Sequence, residues 1–60
     1  MKFKVGDMIC NEHDKSRIGY VTKIESRPRS YLHVRWFDQT VDTWYSIGVG
    51  PVYKSLIKVT

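Results

Sequence analysis

Apolar and polar positions alternate most regularly over residues 31–37, where Leu32, Val34 and Trp36 interleave with Tyr31, His33, Arg35 and Phe37. A period of two is the signature of a strand with one buried face. His33 and Arg35 mark the second set as the solvent face. The other β-rich runs are shorter. Residues 5–10 open on the turn pair Gly6-Asp7 and lead into a first strand, and residues 11–17 are polar and read as a loop. Residues 18–25 form a second strand with Gly19, Val21 and Ile24. The last two are three apart and share a face only if a bulge intervenes, which also supplies the bend a small barrel needs. Gly19 marks a close approach of backbone.

Residues 26–30 contain Pro28 and read as a turn, since proline removes a ladder donor. Asp38-Gln39-Thr40 suits a hairpin turn into a fourth strand at 41–46. Residues 47–51, with two glycines and a proline, are a loop. Residues 52–56 fit a single 3₁₀ turn, and residues 57–59 make a last short strand. No helix-length amphipathic pattern and no repeat occurs. The expected core is Val5, Ile9, Val21, Ile24, Leu32, Val34, Leu56 and Val59, with Trp36 largely buried.

The order of these elements predicts an all-β fold of a single domain over residues 1–60, a small five-stranded SH3-like barrel with a 3₁₀ turn before the last strand. The residues that carry this are Phe3-Lys4-Val5-Gly6-Asp7, then Gly19-x-Val21-x-x-Ile24, then Leu32-x-Val34-x-Trp36-x-Asp38, and finally Leu56-Ile57-x-Val59. Along its whole length the chain resembles the SH3-like small-barrel superfamily of Tudor, KOW and chromo-barrel domains. It also resembles short barrels of tailed bacteriophages, which read Val-Gly-Asp, Gly-x-Val and Val-x-Trp. Within this superfamily the shared residues set geometry while partners vary, so fold transfers and function does not. Resemblance to Tudor domains implies an aromatic cage for methylated Lys or Arg. Tyr31, Phe37, Trp44, Tyr45 and Tyr53 are available, but residues 11–17 supply no aromatic, a departure from that pattern.

Composition narrows the function classes. Sixty residues allow one domain of marginal stability. The one cysteine, Cys10, has no partner for a disulfide and reads as a small buried hydrophobe, which with the absence of a signal-peptide or membrane-length apolar run points to the cytoplasm, or host cytoplasm for a phage protein. His13 and His33 lack the short paired spacing of zinc ligands, so no metal or other cofactor is expected. Gly48-Val49-Gly50-Pro51 has the wrong length for a phosphate loop, and no helix is expected to follow it. A barrel this small fills its interior with side chains, so no catalytic residues and no substrate cavity are expected.

The net charge is +4, and between residues 15 and 35 six cations, Lys15, Arg17, Lys23, Arg27, Arg29 and Arg35, face only Glu25. Arg27, Arg29, Tyr31 and Arg35 therefore form one candidate binding constellation, joined by whichever of Trp44 and Tyr45 points outward, since adjacent strand residues face opposite ways. Such a surface suits either a protein partner, as an adaptor acting on a host or virion protein or on another copy of the chain, or a nucleic acid. The leading expectation is a non-catalytic protein-interaction module, with nucleic-acid binding as the alternative and an active site at an oligomer interface as a third reading.

Overall fold

The computed structural model of the chain describes residues 2–48 and 50–59, so Met1, Thr60 and the Val49 of the expected 47–51 loop lie outside the described residues. The third strand, β3 (Tyr31–Trp36), realises the alternation: Leu32, Val34 and Trp36 are buried and Tyr31, His33 and Arg35 face the other way. It runs antiparallel to β2 (Asp14–Glu25) on one side and β4 (Thr43–Ser46) on the other. With β1 (Met8–Asn11) and β5 (Leu56–Lys58) these make one antiparallel five-stranded sheet in the order β4-β3-β2-β1-β5.

The second strand departs most from its expected bounds. It begins at Asp14, so the predicted 11–17 loop shrinks to a tight turn at Glu12 and His13. The polar residues there brace a hairpin. The Asn11 side chain accepts the His13 N–H at 2.8 Å, Asp14 accepts the Ser16 hydroxyl at 2.6 Å, and the Glu12 N–H reaches the Ser55 carbonyl at 2.8 Å. Polarity marked solvent exposure here, not the lack of a strand.

The bulge falls where Val21 and Ile24 require it. Pairing with β3 shifts between Val21 and Lys23, so Thr22 is the extra residue, and Val21 and Ile24 both turn inward. Gly19 sits beside Trp36 in the register. A Cβ there would lie 2.8 Å from the Arg35 carbonyl oxygen and 2.9 Å from the indole Cε3, so the close approach expected of this glycine is real.

The core consists of Phe3, Ile9, Val21, Leu32, Val34, Trp36 and Leu56, with Ile24, Tyr45, Ile47 and Tyr53 packed around it. Two expected members are absent. Val5 is 62% exposed and Val59 40%. Val5 stands at the corner of a turn, where the Asp7 N–H bonds to the Lys4 carbonyl and Gly6 takes φ 94°; the residue turned inward is Phe3. Val59 is three residues beyond the buried Leu56, so without a bulge the strand period sends it to the opposite face. Cys10 is buried, as expected of a small hydrophobe.

Before β5 the chain makes one turn of α-helix, α1 (Pro51–Lys54), where a 3₁₀ turn over residues 52–56 and no helix after Gly50 were expected. The Ser55 N–H is shared between the Pro51 and Val52 carbonyls at 3.2 and 3.1 Å, an α-type and a 3₁₀-type bond at once. This turn brings Tyr53 edge-on to Phe3 at a centroid distance of 6.1 Å. No helix among the described residues is long and apolar enough to cross a membrane.

Candidate interaction face

Because β3 is central among β2, β3 and β4, its outward residues define a shared surface. The register makes two cross-strand rows on it: Lys23, His33 and Trp44, and Glu25, Tyr31 and Ser46. A third pair, Tyr20 and Arg35, lies towards the other end of β3.

The choice between Trp44 and Tyr45 is settled by packing. Tyr45 lies against the core, and its hydroxyl oxygen accepts the Trp36 indole N–H at 2.9 Å. The buried indole donor thereby has the partner its burial demands. Trp44 points out, 59% exposed, with its ring 6.3 Å from that of Tyr31 and tilted by 43°. Trp44 and Tyr31 thus form an aromatic pair on the solvent side, while Tyr45 belongs to the interior and leaves the candidate surface.

Arg35 lies on the face but is not a free cation. Its Nε donates to Asp42 Oδ1 at 2.6 Å, and the other carboxylate oxygen accepts the hydroxyl of Thr22 at 2.8 Å. The bulge residue and the arginine therefore grip one carboxylate. The Thr22 hydroxyl, and then the Arg35 guanidinium, hold Asp42 below the usual carboxylate value of 3.8. The same pairing raises Arg35 further above its ordinary range. His33 and Glu25 form a second pair at 2.5 Å.

The sign of the Asp42 effect fixes a pH dependence. A carboxylate whose pKa is lowered by folding stabilises the fold above its unfolded value, and that contribution disappears as pH falls through the folded value. Asp42→Asn is therefore expected to flatten the loss of thermal stability below about pH 4, with little change in its shape near neutrality. Asp7 is lowered in the same direction, chiefly by the Lys4 backbone N–H, so part of the acid sensitivity persists in the variant. Equal acid profiles for parent and variant, read by circular dichroism, would show that the Asp42 contacts do not form in solution.

Arg27 and Arg29 stand exposed in the loop between β2 and β3, next to the Tyr31 end of the face. Among the described residues neither lies within ion-pair distance of a carboxylate. Five of the six acidic residues are already engaged: Asp7 with Lys58, Glu12 with His13, Glu25 with His33, Asp38 with Arg17 and Asp42 with Arg35. Lys23, exposed and likewise unpaired, adds a third free cation across from His33. Sequence reasoning placed Lys23 in the charge run but not in the site. The bulge decides it, because the extra residue at Thr22 turns Lys23 to the outer side while Ile24 goes in.

The five aromatics of the implied cage do not converge. Tyr53 packs on Phe3, Phe37 on Tyr20 at 5.9 Å, Tyr31 on Trp44, and Tyr45 bonds to Trp36. No cluster of three or more metal-ligating side chains occurs among the described residues.

An open cleft of about 340 Å³ lies between the β1–β2 hairpin and the start of the β3–β4 connection, lined by Asp14, Ser16, Arg17, Ile18, Phe37 and Asp38. The cleft is open to solvent at the surface, whereas the expectation concerned a substrate cavity in the interior. Its lining contains no histidine. Arg17 stacks its guanidinium on Trp36 at 4.5 Å, and its buried Nε, 3.7 Å from Asp38, makes no hydrogen bond. The cleft is a separate feature from the aromatic and basic face.

No family model matches the chain, and no curated protein or solved structure matches it significantly.

Proposed function

We propose that the chain is a non-catalytic binding module built on an SH3-like barrel, and that its partner at the β2–β3–β4 face is a nucleic acid. Coverage of the core supports the barrel reading. Seven side chains are buried against a single sheet, and the one helix among the described residues is four residues long, coverage that a sheet curled over its own inner face would supply. The bulge at Thr22 in a twelve-residue strand supplies the bend.

The observation that carries the partner is the charge balance around Tyr31 and Trp44. Lys23, Arg27 and Arg29 are exposed and, among the described residues, unpaired, while the carboxylates on the same surface, Glu25 and Asp42, are each bound to a neighbour. A polyanion meets three cations there, against Asp42, which the Arg35 guanidinium balances, and Glu25, which is held in a hydrogen bond to His33. Cations follow a phosphate backbone and exposed rings accept bases.

The test is a titration of labelled single-stranded and duplex oligonucleotides at low and moderate salt. With three phosphate contacts on a single strand the logarithm of the affinity should fall with a slope of roughly −2 against the logarithm of salt. The triple variant Lys23→Ala, Arg27→Ala, Arg29→Ala should lose most of that slope. Absence of binding at low salt would overturn the nucleic-acid reading.

A protein partner is the second reading, and a different part of the outer surface favours it. The register sets the half-buried Ile57 and Ile18 on either side of the buried Cys10, with Met8 and Tyr20 in the next row and Phe37 on Tyr20. Met8 and Phe37 are 42% and 62% exposed. A solvated sheet face is ordinarily polar, so an apolar stretch of this kind suits a protein surface.

A further inference from the structure

We infer that the face selects single strands over duplexes, by stacking unpaired bases on Trp44 and Tyr31. The inference rests on the nucleic-acid reading above and adds the form of nucleic acid that the face takes.

Three observations lead to it. First, Trp44 spends its ring on solvent in a domain that has little apolar surface to spare. It is 59% exposed, whereas Trp36, eight positions earlier on the neighbouring strand, is 1% exposed. Among the described residues its aromatic contact is the half-buried Tyr31, tilted by 43°, so the two ring faces are not stacked on each other. Second, those faces lie on a sheet surface. Bases within a duplex are already stacked on each other and show only their edges in the grooves, so a ring on a sheet has nothing to stack on; an unpaired base presents a whole π-face. Third, the cations stand at distances suited to a strand laid across the sheet. Lys23 and Trp44 flank His33 in one row, two strand spacings or about 10 Å apart. Arg27 and Arg29 lie just beyond the Tyr31 end. A single strand can therefore place phosphates at the cations while its bases reach the rings.

The pairs His33–Glu25 and Arg35–Asp42 between these points have a second consequence. The carboxylates that could accept from base amino groups are engaged, Glu25 by His33 Nε2 at 2.5 Å and Asp42 by Arg35 Nε at 2.6 Å, while the other N–H groups of the Arg35 guanidinium keep their donors. Recognition by ring faces and phosphates alone is tolerant of sequence. The partner is thus single-stranded DNA or RNA.

The molecule carries its own reporter. Of its two tryptophans, Trp36 is buried and bonded to Tyr45, so fluorescence quenching by a ligand reads Trp44. The experiment titrates the whole chain with an oligothymidylate and with a duplex of equal length, following tryptophan emission and the anisotropy of a labelled strand. The single strand should quench the emission and bind more tightly than the duplex. Trp44→Ala should weaken single-strand binding roughly 5- to 150-fold and leave duplex binding unchanged, and Trp44→Phe should keep most of the affinity. Circular dichroism of each variant establishes folding; if Trp44→Ala does not fold, quenching of the parent and the Trp44→Phe titration decide the matter. Equal affinity for both forms without quenching overturns the stacking inference and leaves the electrostatic reading standing. Failure of both forms to bind at low salt overturns the two together.

Discussion

Replacing Phe3 with alanine is expected to cost about 3–5 kcal/mol, the usual loss for a fully buried aromatic. A domain of this size has about 3–9 kcal/mol in all, so the variant should be largely unfolded near physiological temperature. The expectation follows from position. Phe3 is 1% exposed, belongs to the central cluster and receives Tyr53 edge-on. It links the N-terminal segment to the helical turn, two pieces of chain that no ladder joins. Val5→Ala is the paired control and should change stability by at most about 0.5 kcal/mol, as surface substitutions do. Urea unfolding followed by circular dichroism separates the two. If Val5→Ala proves as damaging as Phe3→Ala, the N-terminal segment enters the core in a different register.

Gly19→Ala should lower stability by about 1–3 kcal/mol, the range for overfilling a packed interior. For a chain this short that corresponds to a melting temperature lower by about 4–8 °C for each kcal/mol. The direction is informative, because Gly→Ala in an unstrained site ordinarily stabilises by about 0.4–1 kcal/mol. Gly19 does not take a left-handed conformation, so the obstacle is contact alone, with backbone oxygen at 2.8 Å and the Trp36 ring at 2.9 Å. Trimming the ring should then relieve part of the damage. The double variant Gly19→Ala, Trp36→Phe should fall short of the summed losses of its two single variants. A Gly19→Ala protein melting at or above the parent's temperature would mean that Trp36 does not lie against this strand.

Both sites bear on the interaction face, although neither is part of it. The β2–β3 contact that Gly19 permits sets the register in which Lys23 stands across from His33 and Trp44. A variant that shifts this register should also lose the arrangement of free cations around the aromatic pair, so stability and binding are best measured on the same proteins.

Much of this architecture was legible in the order of residues. Alternation over residues 31–36 determined which side of β3 is buried, because a strand has a period of two and His33 and Arg35 have no place in an apolar interior. The three-residue gap between Val21 and Ile24 demanded a bulge for the same reason. Gly19 announced a close approach, and the Arg27–Arg29 loop with Tyr31 announced an exposed basic and aromatic end. What the order of residues left open were questions of contact between distant segments. Phe3 and Val5 are equally apolar and have the same parity, and only the turn at Gly6 and the packing of Tyr53 decide between them. Trp44 and Tyr45 are adjacent aromatics, and the inward one is chosen by a hydrogen bond to Trp36 across the sheet. Arg35 and Asp42 are seven residues apart, yet their pairing removes one cation from the surface, while the bulge at Thr22 turns Lys23 out to join it. Local pattern determines which face of each strand is buried; the charge and the rings left free on the other face depend on partners that only the folded sheet brings together.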